Sequence, residues 1–130
     1  MTKPSKLSNR VDSRESVLYK GQAFQLTQTH EFHRWLGSLS DRRAIARIVD
    51  RLKRASNGNF GDVRPVGTGV SEMRIDYGPG YPFYFFRLGK ELVILLCGGD
   101  KKAQDADIAK AKRLKDEIEQ SGKAKPVRPS

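Results

Sequence analysis

The chain has 130 residues, with 25 Lys plus Arg against 15 Asp plus Glu and a formal charge of +10. This length suits one domain with one core rather than two, and the charge implies an anionic partner: nucleic acid, an acidic protein or a membrane surface. No run approaches the ~20 apolar residues of a membrane span, no apolar h-region follows the N-terminus, and the single cysteine, Cys97, has no Cys/His cluster around it to form a structural zinc site. A cytoplasmic protein that uses neither metal nor cofactor and binds no membrane is expected.

Residues 1–16 and 121–130 hold few large apolar side chains. They cannot offset the entropy of ordering and are expected to be mobile, leaving 17–120 as the folded domain. Residues 23–28 (AFQLTQ) alternate Phe24 and Leu26 with polar neighbours, which predicts a half-buried strand. Thr29 can cap a following helix with Phe32, Trp35, Leu36 and Leu39 on its apolar side. Ser40 or Asp41 can cap the next one, in which Ile45, Ile48, Val49, Leu52 and Ala55 recur at helical spacing. Arg43, Arg47, Arg51 and Arg54 form a basic stripe on that second helix, which Asn57-Gly58 stops.

A Gly-rich connection is expected over 58–69. Residues 71–77 (SEMRIDY) then set Met73 and Ile75 against Glu72, Arg74 and Asp76, as in a strand. Gly78-Pro79-Gly80 and Leu88-Gly89-Lys90 mark two turns around an aromatic strand, 81–87. Residues 91–97 are nearly all apolar, so this strand should be central and covered on both faces. After Gly98-Gly99-Asp100, residues 104–119 carry Ile108, Ala111, Leu114 and Ile118 on one side of a final amphipathic helix. The order predicts an α+β domain, an antiparallel sheet with helices packed on it.

Three segments occur in this order over about residues 23–117: a helix pair ending NGNFGDVRPVG, the strand SEMRIDYGPGY, and the turn LLCGGDK leading into QDADI. Together they resemble the killer-protein branch of the RelE/HigB superfamily, the toxins of type II toxin–antitoxin pairs. The resemblance implies a RelE-like fold: a small twisted, mainly antiparallel sheet with two N-terminal helices packed on it, and a C-terminal helix. It also implies an endoribonuclease that cleaves messenger RNA on the ribosome, without metal, by attack of the RNA's own 2′-hydroxyl. A cognate antitoxin protein would hold it inactive.

Such cleavage needs a base, an acid and cations to stabilise the phosphorane. Strand alternation sends Arg74 away from Met73 and Ile75, and Arg74 matches a basic position on the family's active surface. Its other reading is an ion pair with Glu72 or Asp76. Lys101 and Lys102 follow the central strand just before a helix, a setting suited to phosphate; Asp100 there either orients them or caps the helix. Tyr77, Tyr81 and Tyr84 are candidates for base stacking. Of these Tyr81 is the catalytic candidate beside Arg74, Lys101 and Lys102, and in a regular strand Tyr84 lies on the opposite face. Arg43, Arg47, Arg51, Arg54 and Arg87 are candidate RNA-binding residues. The stripe on the second helix is otherwise a solvated face or a contact for an acidic antitoxin segment. His30 and His33 are read as helix-surface or capping residues, and Cys97 as a small buried hydrophobe.

The chain departs from the family at Gly80-Tyr81-Pro82, where many relatives read Gly-Tyr-Arg. Proline brings neither charge nor backbone donor and suggests an edge or bulged strand. Two alternatives therefore stand beside the nuclease: a non-catalytic RNA- or ribosome-binding module of the same fold, and a protein-binding adaptor.

Overall fold

The computed structural model describes residues 17–121; the expectations for 1–16 and for the rest of the basic tail fall outside them. The elements run β1 (Val17–Lys20), β2 (Gln25–Gln28), α1 (His30–Ser38), α2 (Arg42–Ser56), β3 (Val63–Gly67), β4 (Val70–Ile75), β5 (Tyr81–Leu88), β6 (Leu92–Gly98) and α3 (Gln104–Ser121). The strands form one six-stranded sheet in the order β1-β2-β6-β5-β4-β3. Only β2 and β6 pair in parallel; the other neighbours are antiparallel. The described residues thus form an α+β domain with a mostly antiparallel open sheet and three α-helices.

The caps act as their residue types dictate. Thr29 Oγ1 accepts from Phe32 N at 3.0 Å and donates to Leu96 O at 2.6 Å, so one side chain starts α1 and fastens it to the sheet. Asp41 accepts from the amides of Arg43 and Ala44 at the start of α2, and Gly58, at φ +99°, follows its end.

The two faces carry separate cores. Phe32, Ile48, Leu52 and Ala55 of α1 and α2 pack on Leu26, Met73, Ile75, Phe83, Phe85, Val93 and Leu95. On the other face, Ala111, Leu114 and Ile118 of α3 pack on Val70, Tyr84, Phe86, Ile94, Leu96 and Cys97. The expected burial of the 91–97 strand on both sides holds, since β6 feeds both cores. Its register slips by one residue between Tyr84 and Phe85, and Leu96 and Cys97 consequently both face α3. The slip leaves Gly98 under the Trp35 ring of α1, where an added Cβ would lie 2.4 Å from the indole.

Several expectations need correction. The strand expected over 23–28 begins at Gln25, as β2, because the amides of Ala23 and Phe24 bond instead to Ser56 O at the end of α2. The connection over 58–69 contains β3, hidden by its Pro65. That strand lies at the sheet edge, where a missing backbone donor is tolerated. β1 had no counterpart in the sequence reading. The Pro82 strand is not an edge: β5 lies between β4 and β6, and its irregularity falls at Tyr84/Phe85. Pro82 is accommodated as the second residue of β5, just before the β6 ladder starts at Phe83 and Gly98. No helix among the described residues is long and apolar enough to cross a membrane.

Candidate functional site

The face that carries α3 also carries a compact charged cluster. Register places Arg64, Glu72 and Tyr84 directly across β3, β4 and β5 from one another, and the two-residue period adds Arg74, opposite Pro82. Glu72 is the hub, with a side chain 3% exposed. Its Oε1 faces Arg64 Nη2 at 3.1 Å and Arg74 Nη2 at 3.4 Å. Its Oε2 accepts from the Tyr84 hydroxyl at 3.4 Å and from Gln104 Nε2 at the start of α3.

Both arginine side chains nonetheless reach solvent, with side-chain exposures of 61% for Arg64 and 37% for Arg74. Lys101, in the short 3₁₀ turn Lys101–Ala103 between β6 and α3, extends toward them. A Cβ added to Gly80 would lie 3.5 Å from Lys101 Cε and 3.9 Å from Arg74 Cδ, so the two side chains share the space above that glycine. A cleft of about 220 Å³ opens beside the arginines, lined by Asp62, Val63, Arg64, Glu72 and Arg74. Arg64 and Arg74 thus flank one buried carboxylate, and Lys101 lies beside Arg74, a grouping of positive charge suited to a bound anion such as a phosphodiester.

Four donors already occupy the Glu72 oxygens. The carboxylate therefore acts as an anchor that aims the two arginines, and it is a positioning residue. Burial, and then Glu72 itself, raise the Tyr84 phenol well above the ordinary tyrosine range, and Tyr84 is fully buried. It is a core residue with a polar handle, closed to a stacking base.

The structure brings together Arg74 and Lys101 from the expected set, and leaves the others elsewhere. Lys102 is exposed in the same turn. Asp100 caps it, accepting from Ala103 N at 3.1 Å. Tyr81 packs on the α1/α2 face with Tyr77, where burial and then Asp41 and Tyr77 raise its phenol above the usual value. Arg87 lies on that face too, its Cζ 4.9 Å from the Phe24 ring centre and 4.6 Å from that of Phe60.

The basic stripe of α2 divides by role. Arg51 donates to the carbonyls of Arg74, Phe60 and Asp62, fastening α2 to β4 and to the loop before β3. Arg54 pairs with Asp50 at 2.9 Å, and Arg47 lies over the Tyr77 ring. Arg43 is exposed. His30 and His33 lie exposed on α1, as expected, with His33 Nδ1 3.4 Å from Gln28 Nε2. Sequence reasoning missed Arg64, Glu72 as a buried hub, and Gln104. Glu72-x-Arg74 on one strand was a visible signal, but the partner strand β3 was not.

No known family profile matches the chain. Over 94 residues, 72% of this chain and 95% of the relative, it is 49% identical to an uncharacterized protein of Haemophilus influenzae. The chain belongs to that protein's family. The match takes in nearly the whole of the relative, so the two proteins share a domain rather than a motif. Among the described residues no group of three or more His, Cys, Asp or Glu is placed to hold a metal ion.

Proposed function

We propose that the protein is the toxin of a toxin–antitoxin pair, a cytoplasmic, ribosome-dependent endoribonuclease of the RelE/HigB superfamily restrained by a cognate antitoxin. The observation that carries this reading is the pairing of Arg64 and Arg74 with buried Glu72, with Lys101 beside Arg74 above Gly80. In the attack of a 2′-hydroxyl on the adjacent phosphorus, negative charge grows on the non-bridging oxygens. Guanidinium groups fixed beforehand stabilise that charge without reorganising. The motif resemblance over 23–117 supports the same assignment.

A second reading, an RNA- or ribosome-binding module without cleavage, is favoured by two observations. Pro82 stands where many members of the RelE/HigB superfamily carry an arginine, and Glu72, the carboxylate of the cluster, has its oxygens filled by other donors.

Inducing the chain alone in a bacterial host, with growth followed and new 5′ ends mapped on messenger RNA, separates the two. Ribosome-positioned new ends with growth arrest, lost in Arg74→Ala and Lys101→Ala, establish the nuclease. Normal growth and no new ends, with soluble folded protein, sink it. Ribosome co-sedimentation that weakens steeply with salt then marks the binding module.

A further inference from the structure

A second cleft, of about 350 Å³, lies on the opposite sheet face, lined among others by Phe60, Val63, Ser71, Phe85 and Arg87. Here the sheet is covered by the loop aromatic Phe60, stacked on Phe85 at 5.6 Å and edge-on to Phe24 at 5.2 Å. Arg87 lies against Phe60 and Phe24, yet remains exposed. None of the ion pairs among the described residues involves it. A guanidinium held by rings but left without a counter-charge keeps its donors and a flat face for a ligand. Gly61 and Gly69, both at positive φ, line the cleft without side chains of their own. The volume falls within the range of small-ligand sites.

The location adds a second argument. Val63 on edge strand β3 lines both this cleft and the cleft of the Arg64–Arg74 cluster. A chain leaving one site reaches the other by crossing a single strand.

We infer that this cleft takes one nucleotide of a single-stranded RNA that crosses β3 from the cluster, with its base against the Arg87–Phe60 surface and its phosphate on Arg87. Bases stack readily on aromatic rings and on arginine planes, and the +10 charge favours a polyanion. The inference rests on the reading of the cluster as an RNA phosphate site, but not on cleavage.

The test is a titration of the full chain with an oligoadenylate of about eight nucleotides, within the site sizes of single-strand binders, followed by amide NMR shifts and by fluorescence anisotropy. The expected result is movement of the Gly61, Ser71 and Arg87 amides with the same midpoint as those of Arg64 and Arg74. Arg87→Gln, at an exposed position, should weaken binding by about tenfold, the lower part of the range for one stacked base. It should also flatten the slope of log affinity against log salt by about 0.7, one single-strand phosphate contact. Shifts at the cluster alone, with Arg87→Gln binding as wild type does, overturn the second site and leave the cluster standing. Shifts in the second cleft alone uphold a nucleotide site there and overturn the cluster. Shifts at neither overturn both.

Discussion

Gln104 at the start of α3 donates to the Glu72 carboxylate in the middle of β4, so the last helix is tied to the basic cluster through one buried side chain. The carboxylate that aims Arg64 and Arg74 also records where α3 sits. Glu72→Gln keeps the shape and removes the charge. Its two arginine partners are partly exposed and can rehydrate, so the expected stability loss is about 1–3 kcal/mol, below that for a fully buried broken pair. Activity should fall further than stability, at least tenfold in RNA cleavage or RNA affinity at a temperature where the variant is folded. Urea unfolding beside the RNA assay checks this; full activity in a folded Glu72→Gln protein would remove Glu72 from the site.

Arg51 and Arg43 should behave oppositely despite sharing a helix. Arg51 satisfies three main-chain carbonyls, so Arg51→Ala leaves partly buried acceptors unpaired and should cost about 2–4 kcal/mol. Arg43 is exposed, and Arg43→Ala should stay within about 0.5 kcal/mol. Equal urea midpoints for the two variants would contradict this division.

Gly98→Ala tests the closest approach of α1 to the sheet. The new methyl would meet the Trp35 indole, and overpacking of this kind costs about 1–3 kcal/mol. Trp35 is the only tryptophan, so its emission should shift as the ring is displaced. An unchanged spectrum and stability would show that α1 has slack here.

The Cys97 thiol is pushed up to about 12, chiefly by burial, and its residue is 1% exposed. At neutral pH it is protonated and shielded, while the reactive species is the thiolate. Alkylation of native protein should be slower than that of an unfolded control by several orders of magnitude, accelerating as urea approaches the unfolding midpoint. Fast labelling of native protein would mean that α3 lifts from the sheet locally.

Glu31 supplies a pH dependence. Burial alone would raise its carboxyl, but Lys110 of α3 and Arg34, each at 3.3 Å, hold it below its ordinary value of 4.5. A carboxyl lowered by folding contributes stability above its unfolded value and loses it as pH falls through the folded one. Stability should therefore decline below about pH 4.5, and Glu31→Gln should flatten that decline. Identical acid limbs in the two unfolding curves would exclude Glu31 as a contributor.

The elements with strong local chemistry were legible in the sequence. Thr29 and Asp41 announced the two helix starts, Gly78 and Gly89 the turns, and the apolar run of β6 its central place. Edge strands were not, because they lack a one-face pattern of their own: Pro65 concealed β3, and with it the cross-strand neighbour of Glu72. Strand parity correctly sent Arg74 away from Met73, and Tyr81 and Tyr84 to opposite faces. It could not show that α3 would cover Glu72 yet leave the arginines open, since that depends on where a helix some 30 residues later comes to rest. Arg51 read as part of a stripe because spacing reports direction, not the carbonyls waiting there.

The bond from Thr29 to the Leu96 carbonyl joins residues 67 positions apart, and the parallel β2–β6 ladder is built of such distant pairs. The first hairpin and α1 have no sheet to rest on until β6 exists. During synthesis the β1–β2 hairpin and α1 must wait for almost the whole domain to emerge before β2 meets its second partner strand, and non-local pairing of this kind slows folding. The ladder therefore acts as a late closing seam: a chain interrupted before residue 92 lacks the strand on which both cores and the Arg74–Lys101 convergence depend.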